Sequence, residues 1–174
     1  MNNIQIISSK SSFKYVVTSS PDPNSIECYK DLLFKNGVTT VVRLCEKKYD
    51  DSILNKHGIT VIDIPIADGS VPNDEIVSNW IRIIMAEMEK NKSGIAVHCM
   101  SGLGRAPLFV CVGLITFGNV DPIGAVEMVR EKIPRALNSK QVDYVCKIKT
   151  RKIRKYCVKS QRNVIYKDRQ CCIM

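Results

Sequence analysis

No run of apolar residues in this 174-residue chain reaches the roughly 18 that a membrane-spanning helix needs. Residues 1–10 lack the basic-then-apolar order of a secretory signal. Internal repeats and low-complexity segments are absent. Histidine is scarce, with only His57 and His98. Cys28, Cys111, Cys146 and Cys157 show no paired metal-ligand spacing, which argues against a zinc site, and no metal or cofactor is expected. Eight cysteines in a chain of this length are too sparse for a small disulfide scaffold. With 45% hydrophobic and 25% charged residues, the chain can bury a core. A single soluble intracellular domain is the expectation.

The net charge of +9 is concentrated. Residues 147–170 hold ten Lys/Arg and one acid, Asp168, so residues 1–146 are neutral. Apolar residues thin out after about Tyr156, which predicts a folded domain over 1–156 and a flexible basic extension over 157–174. Such a tail seeks an anionic surface, either nucleic acid or the inner membrane leaflet.

Four β-branched runs read as strands: 13–17, 38–44, 59–64 and 94–98. Helical patterns follow over 23–35, 73–90, 105–117, 122–132 and from Ser139 to Ile148. In the second, Ile76, Trp80, Ile83 and Ile84 form an apolar stripe, with Asp74 and Glu75 at its start and Lys90 and Lys92 at its end. Asp121 is placed to cap the helix opened by Pro122. Strands alternating with helices predict an α/β fold, a central, mostly parallel sheet flanked by helices on both faces.

His98-Cys99-Met100-Ser101-Gly102-Leu103-Gly104-Arg105 follows an apolar strand and opens an apolar helix. Small residues let successive backbone N–H groups turn inward, and the helix N-terminus adds partial positive charge; together they form an anion cradle. Arg105 can grip a phosphate with two parallel hydrogen bonds. A thiol beside a helix N-terminus and a guanidinium is expected to ionise readily. Cys99 therefore reads as a nucleophile for phosphoryl transfer, with residues 100–105 holding the substrate. Asp68, in Pro65-Ile66-Ala67-Asp68-Gly69, reads as the acid that protonates the leaving oxygen; an ordinary Asp-Gly turn is the alternative. His98 is expected to orient the loop.

This loop resembles that of protein tyrosine phosphatases of the dual-specificity type. Its form, His-Cys-x-x-Gly-Leu-Gly-Arg-Ala-Pro, is similar to the prenylated regenerating-liver, or type IVA, members. Val42-Arg43-Leu44-Cys45-Glu46 resembles their segment with a redox-active cysteine, and 65–69 their acid loop. The resemblance implies a Cys99 nucleophile, an Arg105 phosphate ligand and an Asp68 acid. It also implies a reversible Cys45–Cys99 disulfide, although by itself Cys45 reads better as a buried strand cysteine. Glu46 is implied to contact the cradle. Phosphotyrosine proteins are the implied substrates, with dual specificity or phosphoinositides beside them. An alternative role is a binding module for CBS-domain magnesium transporters. A homo-oligomer is also implied. A sulfur-transferring or arsenate-reducing loop would share the cradle without needing Asp68.

Two departures stand out. The acid loop lacks both aromatics and the first acid of Trp-Pro-Phe-Asp-Asp-Gly. Ala106 replaces the hydroxyl residue that usually assists thiolate departure, which predicts a slow second step and a long-lived phosphocysteine.

Cys171-Cys172-Ile173-Met174 fits C-a-a-X, with Cys171 farnesylated and the last three residues removed before methylation. One lipid chain binds membranes marginally and needs the basic run as a second signal. The expected location is the cytoplasmic face of the plasma membrane and endomembranes, and the cytoplasm when unprenylated. No aromatic interleaving supports a nucleic-acid partner, so anionic lipids are the expected ligand of the tail.

Overall fold

The computed structural model describes residues 4–8, 13–90 and 94–148. The basic extension, Cys157, Cys171 and Lys92 lie outside them. Five strands form one sheet: β1 (Ile4–Ser8), β2 (Lys14–Ser19), β3 (Thr40–Arg43), β4 (Thr60–Asp63) and β5 (Gly94–Cys99). Their order is β1-β2-β5-β3-β4. β1 is antiparallel to β2; the other pairings are parallel. Six helices accompany them: α1 (Ile26–Lys35), α2 (Ser52–Lys56), α3 (Asp74–Glu89), α4 (Arg105–Phe117), α5 (Pro122–Lys132) and α6 (Ser139–Cys146).

Strand alternation divides the core in two. Val16, Val41 and Ala96 face Tyr29 and Leu33 of α1 and Leu54 of α2. Tyr15, Val17, Val42, Ile95 and Val97 face the layer containing α3, α4 and α5. α4 is apolar almost all round because it is the innermost helix, buried from Arg105 through Ile115. Trp80 of α3 is fully buried and donates its indole N–H to the carbonyl of Phe109, 2.8 Å away. The sheet is thus covered on both faces, as expected.

Several boundaries differ from the sequence reading. β1 and α2 were not expected. β3 is shorter than 38–44 because its flanking N–H groups bond elsewhere: Val38 N–H closes the end of α1 on Leu33 O, and Leu44 N–H reaches His98 O. The first helix begins at Ile26, preceded by a single 3-10 turn over Pro23–Ser25 that Asp22 caps. α6 stops at Cys146 rather than Ile148. Asn73 caps α3, and Asp121 caps α5 by accepting from Ile123 and Gly124 N–H. No helix among the described residues is long and apolar enough to cross a membrane.

Candidate active site

β5 lies between β2 and β3, and its C-terminal residue is Cys99. Open α/β sheets bind ligands beyond the carboxyl ends of their strands, where neighbouring connections diverge. The register brings the other elements to that edge. Thr18 and Arg43 both pair with His98, and Arg43 pairs with Asp63 on its other side. The segments that follow β3 and β4, carrying Cys45 and Asp68, therefore emerge beside Cys99.

The loop after Cys99 turns on Gly102, whose φ is +75°. A Cβ there would lie 2.9 Å from the carbonyl of Thr18, so a side chain has no room. Met100 O accepts from Ser20 N–H at 3.1 Å, and Leu103 O from Leu137 N–H at 2.9 Å. In a trans peptide the following N–H points opposite to its carbonyl. Tying these two carbonyls outward aims the N–H groups of Ser101 and Gly104 the other way. Met100 and Leu103 present exposed apolar side chains.

Arg105, the first residue of α4, is 5% exposed. Its Nη1 donates to Ile66 O at 3.0 Å and to Leu44 O at 3.3 Å. Its Nη2 lies 3.0 Å from Asp68 Oδ1. Its Nε is buried with no hydrogen-bond partner. The guanidinium is thus held by two carbonyls, and not all of its five N–H donors are committed. Asp68 itself is exposed, and Gly69 after it has φ +66°. A cleft of about 390 Å³ is lined by Cys45, Glu46, Lys48, Pro65, Ile66, Ala67, Asp68, Met100 and Arg105.

Cys45 and Cys99 are both buried free thiols. Burial pushes the Cys45 thiol up, Arg105 opposes this, and negative charge on Cys99 adds to it. Cys111 is a contrasting case: burial pushes it up to about 12, and its thiol bonds to the Ala125 carbonyl at 3.6 Å. Cys28 and Cys146 are exposed and free. Among the described residues no group of three or more His, Cys, Asp or Glu is arranged to hold a metal ion.

The structure adds residues that sequence reasoning had not singled out. Tyr49 is buried against His98, with its hydroxyl 2.9 Å from Nε2, and stacks on the fully buried Arg43, which pairs with Asp63 through two hydrogen bonds of 2.5 and 2.8 Å. Asn138 and Gln141 open α6 with a capping box; the pattern Asn-x-x-Gln was the available signal. No comparable signal marks Tyr49.

A family model described as polymorphic toxin system, DSP-PTPase phosphatase, matches residues 21–119. The chain is 36% identical to human protein tyrosine phosphatase type IVA 3 over 167 residues, 92% of this chain and 90% of that one. It is 39% identical to the PRL-1 phosphatase of Drosophila melanogaster over 137 residues, 78% of this chain and 77% of that one. Among solved structures it is similar to one described as a protein tyrosine phosphatase from Leishmania major, with a TM-score of 0.77 and 30% identity, covering 84% of this chain and 99% of that one.

Proposed function

This chain belongs to the protein tyrosine phosphatase type IVA family, and we propose that it hydrolyses phosphotyrosine in proteins, with dual specificity, through a phosphocysteine. Cys99 sulfur attacks phosphorus as the P–O bond to the substrate breaks. Asp68 transfers its proton to the departing oxygen. Water then attacks the S–P bond, releasing inorganic phosphate and restoring the thiolate, with Asp68 taking the water's proton. Residues 100–104 and Arg105 hold the phosphoryl oxygens. The observation that carries this reading is the guanidinium of Arg105, anchored by two carbonyls, paired with Asp68, and belonging to a residue that lines the cleft.

Rapid mixing with an aryl phosphate under reducing conditions tests it. A burst stoichiometric with enzyme, followed by slow turnover, with both lost in Cys99→Ser, is the expected result. Turnover that survives Cys99→Ser overturns the reading.

Ala106, fully buried directly after Arg105, supports a second reading. It offers no hydroxyl to assist the second step, so a stalled phosphocysteine could gate docking of a CBS-domain magnesium transporter on the same face. A burst with negligible steady state favours this binding role.

Redox control fits the same proposal. Peroxide converts Cys99 to a sulfenic acid, and Cys45 sulfur displaces water to form the disulfide. Two buried thiols at neighbouring strand ends support it. The tail outside the described residues is proposed to carry a prenyl group on Cys171 that, with the basic run, holds the enzyme on anionic cytoplasmic membrane surfaces, where homo-oligomers could form. Release of Cys171→Ser from membrane fractions is the expected outcome.

A further inference from the structure

We propose that residues 137–141 form a bracket that sets the position of the acid loop against the phosphate loop, with Asn138 and Gln141 as positioning residues for Asp68; the role given to Asp68 rests on the proposed function. The bracket holds the phosphate loop with one hydrogen bond and the acid loop with two. Leu137 N–H holds the carbonyl of Leu103 at 2.9 Å, on the phosphate loop. Asn138 Nδ2 donates to Gly69 O at 3.0 Å, and Gln141 Nε2 to Ser70 O at 3.2 Å. Gly69 and Ser70 are the two residues directly after Asp68.

The two amides divide their work by atom. Their oxygens serve the helix: Asn138 Oδ1 accepts from Gln141 N–H at 2.8 Å, and Gln141 Oε1 from Asn138 N–H at 3.1 Å. Capping α6 uses only these acceptors. Their NH2 groups both point across to the acid loop, which a helix cap does not require. Gln141 is fully buried, and a Cβ on Gly104 would lie 3.2 Å from its Oε1, so it also abuts the phosphate loop.

The backbone of the bracket is held under strain. Arg135, just before it, and Leu137 have φ of 65° and 67°, the left-handed region that strains a non-glycine residue. Arg130 stabilises it by donating from Nε to Ala136 O at 3.0 Å and from Nη2 to Leu137 O at 3.3 Å. Strain retained between two loops of a site is the arrangement expected where position matters. Two of the acid loop's other tethers, Ile66 N–H to Leu44 O and Arg105 to Ile66 O, lie before Asp68, and the third is the ion pair of Asp68 itself with Arg105. Beyond the acid, the loop's other restraints are its own turn, in which Ser70 bonds to Ala67 O, and the packing of Val71 against the core.

The test uses Asn138→Ser, because serine caps helices as well as asparagine but has no NH2 to reach Gly69. General acid catalysis matters most when the leaving group is poor. The expected result is roughly a tenfold fall in kcat/KM for phenyl phosphate, little change for 2,4-dinitrophenyl phosphate, unchanged vanadate inhibition and a melting temperature near wild type. Gln141→Met should show the same leaving-group pattern and serves if Asn138→Ser does not fold. Asp68→Asn is the benchmark. If it loses phenyl phosphate activity selectively while Asn138→Ser and Gln141→Met lose none, or lose both substrates equally, the bracket is overturned. If Asp68→Asn itself shows no leaving-group dependence, the role of Asp68 fails, and the bracket with it.

Discussion

The hydroxyl of Tyr49 lies 2.9 Å from Nε2 of His98, while Nδ1 of the same ring lies 3.4 Å from the carbonyl of Cys99. A carbonyl can only accept, so Nδ1 carries the proton and Nε2 accepts from Tyr49. Tyr49 keeps its hydrogen, since burial pushes it up to about 12. The peptide on the C-terminal side of the nucleophile is thereby tied to a neutral imidazole. Burial, reinforced by the charge of Arg43, pushes His98 down to about 4 from an ordinary 6.5. Between these values the unfolded chain binds a proton that the folded chain refuses, so stability falls as pH drops. Above 6.5 both states are neutral and the contribution is constant. Below about 4 the loss levels off, on the order of 3 kcal/mol. Urea unfolding of wild type and His98→Asn between pH 7.5 and 4.5 should show the wild type losing more. Parallel curves would remove His98 from the acid response.

Gly102→Ala should cost about 1–3 kcal/mol and weaken vanadate inhibition. The φ of +75° strains any side chain, and the obstacle 2.9 Å from the new Cβ is the carbonyl of Thr18, at the end of a central strand. That backbone cannot move aside cheaply, so the loop must. Unchanged vanadate inhibition in a folded Gly102→Ala would show that the loop's backbone path is not what binds the anion.

What was legible in the sequence was whatever lies within one contiguous segment. Among the described residues, the β-branched runs and capped helices located four of the five strands and five of the six helices, and Cys99 and Arg105 fall in a single strand-loop-helix unit. β1 was missed because Ile4–Ser8 is defined by antiparallel pairing with β2, a tertiary fact. α2 has only five residues, too few to show periodicity. Cys45 and Asp68 reached the cleft through strand register that the sequence does not display, and resemblance supplied what periodicity could not. Asn138 and Gln141 were visible at most as a helix start; their bonds to Gly69 and Ser70 span about seventy positions.

Asp68→Asn should strengthen vanadate inhibition while weakening turnover of poor leaving groups. The carboxylate sits 3.0 Å from Arg105 Nη2, so an incoming oxyanion must compete with it. The pair is exposed on the Asp68 side, which limits the effect to about 1 kcal/mol or severalfold in affinity. Arg105→Lys should lose vanadate inhibition, because a point charge cannot replace a guanidinium braced by Leu44 and Ile66 carbonyls. Equal inhibition of wild type and Arg105→Lys would refute the assigned role of the guanidinium.

Ala106→Ser addresses the second chemical step. Ala106 is fully buried in the same core cluster as Cys99 and begins the helix with Arg105. A hydroxyl there can donate to the sulfur as negative charge returns to it when the S–P bond breaks. The first step, in which sulfur gives up charge to phosphorus, gains nothing from such a donor. Steady-state turnover should therefore rise, by about tenfold for one well-placed donor, while the burst amplitude stays at one per enzyme and its rate is unchanged. The buried hydroxyl would find its partner in the sulfur, so the stability cost should stay below about 1–3 kcal/mol. A faster burst with unaltered steady state would place the slow step elsewhere, and the missing hydroxyl would no longer account for slow turnover.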